Sequence, residues 1–281
     1  MGEVDPFARV AAHSSAAPFD NAFEDGGFSV ELNHEFDTTD LTLIAASRCF
    51  DTTTGIDADF QRMDLLGVRA QAQELDESSF EIRLASSGAN VLDWVVGAFV
   101  FDQTIAATDD LLLGVHGRAY GDLLTQAATG GALSFPALEV IFGLPAGSIF
   151  ANGTGTRNEF DYSANGFAVF GQGTYHINDQ WSITGGLRYS DEEKDFTATN
   201  SLANEPFSQV PLPPSLAGLS AFQAFPATDP YSISFADDNI SGTFNVAYNI
   251  SGSTSAYVRY ATGFKSGGIN LSRNAGRNGT G

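Results

Sequence analysis

The chain has little of several things, and each scarcity excludes something. Cys49 is its one cysteine, so no intrachain disulfide can form. Lys194 and Lys265 are its two lysines, and the formal net charge is -21. Nucleic acid is excluded as a partner, because neutralising phosphates needs a basic face. The longest apolar run, 94–101, contains Gly97 and falls far short of the ~18 residues of a membrane helix. The start, MGEVDPFARVAAHSS, shows no basic segment followed by an apolar one, so no signal peptide is visible. Catalytic motifs are missing too: there is no G-x-S-x-G, H-E-x-x-H, P-loop or G-x-G-x-x-G. No catalytic or metal residue and no cofactor is assigned, and the chain is not expected to be an enzyme. The four histidines, His13, His34, His116 and His176, are scattered. Asp51, Asp57, Asp59 and Asp64 share one connection but lack the spacing of a calcium loop.

What is abundant is glycine, 30 residues, and phenylalanine, 23, in a chain that is 43% hydrophobic. These residues fall into alternating segments. Phe28, Val30, Leu32, His34 and Phe36 alternate with Ser29, Glu31, Asn33 and Glu35. Phe80, Ile82 and Leu84 alternate with Glu81 and Arg83. Val169, Gly171, Gly173 and Tyr175 oppose Phe170, Gln172, Thr174 and His176. Trp181, Ile183, Leu187 and Tyr189 oppose Ser182, Thr184, Arg188 and Ser190. Phe244, Val246 and Tyr248 oppose Thr243, Asn245 and Ala247, and Val258 and Tyr260 oppose Tyr257 and Arg259. Period-two alternation puts the two sets on opposite faces of a strand.

The connections alternate as well. Tight turns are expected at 37–40, 87–90, 178–179 and 251–252, and long loops at 51–74, 109–157 and 199–234. Short turns on one rim and long loops on the other are the pattern of an outer-membrane β-barrel, with the short turns in the periplasm. The fold expected is therefore all-β. It is an antiparallel meander of about eight strands near 26–36, 40–50, 76–87, 91–107, 160–177, 180–198, 235–250 and 253–267. Tyr175, Trp181 and Tyr248 lie beside the short turns, where an aromatic girdle meets the membrane interface. Ile183, Leu187, Val169, Phe244 and Val246 are expected to face lipid. Glu81, Arg83, Gln172, Arg188, Arg259 and Lys265 are expected to face a solvated lumen, with Thr184 and Asn245, Lys265 near the outer rim. Loop 109–157 is apolar enough to pack, and a short helix fits within 111–129. Loop 199–234 holds Pro206, Pro211, Pro213, Pro214, Pro226 and Pro230 and should be irregular. The acidity reads either as solubility or as acidic surface loops.

Two stretches carry a family resemblance. FGQGTYHINDQWSITGGLRY at 170–189 and YVRYATGFKSGGIN at 257–270 resemble barrel strands of TonB-dependent outer-membrane receptors. Residues 78–101 resemble an earlier hairpin of the same barrel. The more specific motif residues are Gly263, Phe264, Lys265, Ser266, Gly267, Gly268 and Asn270. The resemblance implies a location in the Gram-negative outer membrane, contact with its lipid, coupling to TonB, and uptake of a scarce nutrient chelate such as a ferric siderophore. Family barrels have about 22 strands. Nothing here resembles the family's plug domain, its TonB-contacting box or its closing strand. Residues 1–281 are therefore expected to be an internal part of such a barrel, an open curved sheet with unpaired edge strands. The competing reading is a soluble or surface-exposed β-rich binding protein, an adhesin or carbohydrate-binding module.

Overall fold

A computed structural model describes residues 20–268. It holds one eight-stranded antiparallel sheet whose strands neighbour one another in chain order. They are β1 (Asn21–Glu35), β2 (Thr39–Ile56), β3 (Val68–Ser86), β4 (Leu92–Leu112), β5 (Gly155–His176), β6 (Trp181–Ala203), β7 (Tyr231–Ser251) and β8 (Thr254–Ala261). β1 pairs with β2 and β8 with β7, so the sheet stays open between its first and last strands. A soluble sandwich would instead divide its strands between two packed sheets.

The register explains the alternation. Directly paired residues point to the same face. The row Leu41–Leu84–Val96–Gly171–Leu187–Gly242 therefore lies on one face, and the neighbouring row Arg83–Gly97–Phe170–Arg188–Ser241 on the other. The first face carries an apolar band, at Leu92–Val100 in β4, 167–175 in β5, 181–189 in β6 and 240–248 in β7. Each stretch is about nine residues long, the length a membrane-crossing strand needs. The band is solvent-accessible: Leu187 is 67% exposed and Val258 78%. No protein core covers it. Trp181 and Tyr248 form a pair at its short-turn edge, with ring centroids 4.5 Å apart. Beyond the opposite edge the same face turns acidic, with Glu74, Asp76, Asp161 and Asp195 around one shallow depression.

The strands run further than the sequence suggests. β2 ends at Ile56 and β3 begins at Val68, so the connection expected at 51–74 shrinks to 57–67. The other two long loops shrink to 113–154 and 204–230. The reason is physical. At the outermost strand residues, 51–55 and 155–159 among them, both faces are polar, and no alternation reveals the strand. Asp51, Glu74, Asp109 and Asp110, four of the eleven acidic residues in the expected loops, sit on these strand extensions. Between 113 and 154 only Arg118, Asp122 and Glu139 carry charge apart from His116.

The two longest loops are folded. Loop 113–154 contains α1 (Gly117–Ala128) and α2 (Phe135–Phe142). Ser134 caps α2, its hydroxyl accepting from the Ala137 N–H at 3.3 Å, and Gly143 ends the helix in the left-handed conformation. α1 turns Gly117, Gly121 and Thr125 inward. A Cβ at Gly121 would come within 2.8 Å of Phe135 and of Phe150, so the helix packs there through a missing side chain. Loop 204–230 forms 3-10 segments at Pro206–Gln209 and Pro214–Phe222. Phe135, Leu138 and Ile149 from one loop and Phe207 and Leu219 from the other make one buried core. The two loops are thus a single cap.

Candidate functional site

The polar face is where charge gathers. Among the described residues seven lysines and arginines lie on strands: Arg48, Arg69, Arg83, Arg157, Arg188, Lys194 and Arg259. The register puts all but Arg157 on the polar face. Arg157 is on the apolar side, near the long-loop rim, ion-paired to Asp110.

Behind the apolar band, the polar face forms a groove of about 440 Å³. Glu81, Phe170, Gln172, Arg188, Thr243 and Arg259 line it. The structure thereby brings together four of the residues singled out from sequence: Glu81, Gln172, Arg188 and Arg259. Arg83, the fifth on this face, is ion-paired to Glu81. The guanidinium of Arg188 lies 5.9 Å from the centroid of the Phe170 ring and donates from Nε to Ser190 Oγ at 3.0 Å. Arg259 donates from Nε to Thr243 Oγ1 at 3.0 Å. Phe170 lies over Gly97, where a Cβ would come within 2.4 Å of its ring. Alternation identifies the arginines. It also puts Phe170 on this face, but does not show the seat its ring finds on the glycine across the ladder.

Above the groove the polar face is less polar than expected. Phe99 and Phe101 stack with centroids 6.1 Å apart, and Phe160 and Phe196 at 6.0 Å. Phe196 is buried.

The motif at 263–270 does not continue β8, which the sequence extends to 267. The ladder stops at Ala261. Thr262 Oγ1 accepts the Gly242 N–H at 2.9 Å, in place of a backbone carbonyl, and the chain turns away. Lys194 Nζ then donates to Ser266 Oγ at 2.8 Å and to the Gly267 carbonyl at 2.9 Å. Gly267 rests against Phe235, where a Cβ would come within 2.6 Å of the ring. Ser266 and Gly267 are thus drawn onto the polar face, whereas Lys265 is exposed beyond the strand end. Asn270 lies outside the described residues.

The cap holds two buried carboxylates. Glu139 accepts from both Arg118 Nη groups, at 2.7 and 3.2 Å, and from the Gly147 and Ile149 N–H groups at 2.9 and 3.0 Å. Burial alone pushes this carboxyl up. The Arg118 and backbone hydrogen bonds outweigh burial and hold it below its ordinary value. Glu205 joins the two loops. It accepts the Phe150 N–H at 3.1 Å and both the N–H and hydroxyl of Ser208 at 2.7 Å. In loop 57–67 the aspartates serve the backbone. Asp59 accepts from the N–H groups of Gln61, Leu65 and Leu66, and Asp57 from those of Asp59 and Phe60. Among the described residues no group of acidic, histidine or cysteine side chains is arranged to hold a metal ion.

Known proteins supply the context for this sheet. No curated protein matches the chain. Among solved structures, the ferric yersiniabactin uptake receptor FyuA from Yersinia pestis is similar, with a TM-score of 0.57 and 16% identity. That match covers 88% of this chain and 29% of the receptor. The siderophore receptor PiuA from Acinetobacter baumannii is similar with a TM-score of 0.50 and 16% identity, over 86% of this chain and 32% of that one. The chain thus spans about a third of the receptors it matches, and at these identities the likeness is one of fold. The family model described as TonB dependent receptor-like, beta-barrel matches residues 5–281. An open meander with an apolar outer band, short turns on one rim and a folded cap on the other is what part of such a barrel looks like, and the chain belongs to this family of outer-membrane transporters, which are not enzymes.

Proposed function

We propose that the protein is an outer-membrane receptor for TonB-energised uptake of a scarce nutrient chelate, foremost a ferric siderophore. The observation that carries this reading is the segregation of charge. Six of the seven strand-borne basic residues lie on the polar face, and the three at the level of the apolar band, Arg83, Arg188 and Arg259, are all among them. A charged side chain at membrane depth is costly unless it faces water, a partner or a substrate path. The polar face is accordingly the lumen wall, and Glu81, Arg83, Gln172, Arg188 and Arg259 line it. Of the similar structures, one is by name a ferric yersiniabactin uptake receptor and another a siderophore receptor. The cap, built from loops within 109–157 and 199–234, faces the outside and meets the ligand first. Lys265 stands at the same rim.

Cells producing the full-length protein should accumulate radiolabelled ferric siderophore from a panel of catecholate, hydroxamate and mixed-ligand types. Cells without it should not, and deleting tonB should abolish the uptake. Deleting 113–154 should lower ligand binding more than it lowers the amount of protein in the outer membrane. Failure to take up any member of the panel by a correctly inserted protein would overturn the siderophore assignment.

A further inference from the structure

Arg188 and Arg259 are two cations at membrane depth with no carboxylate bonded to either among the described residues. They share one arrangement. In each, a neighbouring hydroxyl accepts from Nε, which fixes the plane of the guanidinium and leaves the terminal Nη groups for a partner. Phe170 supports Arg188 from beneath, and Gly97 seats Phe170. Glu81, the one carboxylate in the groove, is occupied by Arg83. Gln172 adds a neutral amide from β5, on the side of Arg188 away from Arg259. The floor beside it is Gly186, where a Cβ would come 3.2 Å from Thr243 and 3.3 Å from Gln172.

The register sets the spacing. Arg188 pairs with Ser241 of β7, and Arg259 with Asn245. The two positions are offset by four residues along the strands, roughly 13 Å, and by two strands across the sheet, roughly 10 Å more. One small monovalent ion would leave one guanidinium unsatisfied. A ligand with two or more separated anionic groups satisfies both. Guanidinium recognises carboxylate and phosphate oxygens through paired N–H donors, and does so more strongly than neutral donors.

We propose that this groove is a subsite on the uptake path for a small ligand bearing two or more oxyanion groups, carboxylate or phosphate. Arg188 and Arg259 bind these groups, Gln172 donates beside Arg188, and Gly186 leaves the floor next to it without a side chain. The inference rests on the reading of the polar face as the wall of an uptake path.

The test is calorimetric titration of the full-length protein in detergent micelles. The probes are tricarballylate, inorganic pyrophosphate and the neutral propane-1,2,3-tricarboxamide. The wild type should bind at least one anion and not the amide. Binding of tricarballylate alone assigns a carboxylate ligand, and of pyrophosphate alone a phosphate ligand. Arg188→Gln and Arg259→Gln should each weaken binding at least tenfold. Gly186→Leu keeps both charges and should weaken it equally by filling the floor. Arg188→Lys retains the charge without the fork, so a loss there in a protein of unchanged circular dichroism cannot come from misfolding. The proposal is overturned if neither anion binds, or if the double variant R188Q/R259Q binds as the wild type does. Siderophore uptake with no anion binding would sink the groove alone. Anion binding without siderophore uptake would retire the siderophore and leave the groove standing.

Discussion

The sheet and the cap obey opposite rules with the same residues. In the cap, Phe135, Leu138 and Phe207 are fully buried against one another. In the sheet, Phe28, Leu187 and Val258 are largely exposed. The cap excludes water, as a small soluble domain does, and its stability comes from packing. The outer band of the sheet meets hydrocarbon, where apolar side chains gain nothing by clustering and the backbone must be satisfied by the ladder. The same leucine therefore means different things 50 residues apart.

Truncation should separate the two regions most clearly. Phe135→Ala removes the ring at the centre of the cap and should cost about 3–5 kcal/mol. Hydrogen exchange should show both loops losing protection together while β3–β6 keep theirs. Loss confined to 113–154 would show that the loops do not share a core.

Charge insertion reverses the ranking. Leu187→Arg puts a cation on the lipid face near mid-membrane and should cost about 2–4 kcal/mol, read by denaturant titration of the protein in bilayers. Leu123→Arg, on the exposed side of α1 in the cap, should change stability by no more than about 0.5 kcal/mol. Equal costs at the two positions would mean that the cap helix, too, lies against lipid or protein.

Acid should loosen the cap before the sheet. The Glu139 carboxyl is held below its ordinary value, so its contribution is fully present above the unfolded carboxylate range. That contribution fades as pH falls through the lower folded value. Glu139→Gln removes charge-assisted hydrogen bonds to Arg118, Gly147 and Ile149 and should cost about 2 kcal/mol at neutral pH. The variant should also lose part of the acid sensitivity of the cap in pH-dependent hydrogen exchange. An unchanged pH profile would assign the acid response elsewhere.

The smallest effect expected is at Leu187→Ala. It leaves no sealed cavity, because lipid refills the space, and the change should stay below about 1 kcal/mol. A cost like that of Leu138→Ala would show protein, not lipid, against this face.

Much of the sheet was legible in the sequence because its signal is local. Alternation at period two marks the two faces wherever one of them is apolar, and four tight turns order the strands into hairpins. From these follow the meander, the outer position of Leu187 and the sharing of one face by Arg188, Gln172, Glu81 and Arg259. The strand ends were not legible, since the outermost residues, 51–55 and 155–159 among them, are polar on both faces. Nor was the cap, because Phe135 and Phe207 meet across 72 residues of chain and no pattern in either loop announces the other. The departure of 262–268 from the ladder was equally hidden. It depends on Thr262 bonding to Gly242 and on Lys194 reaching Ser266. The groove combines both kinds of information. The sequence determined which residues face it, through the period of the backbone. Only the tertiary structure, by setting the register that places Gly186 between Gln172 and Thr243 and Gly97 beneath Phe170, decided that these residues form one site.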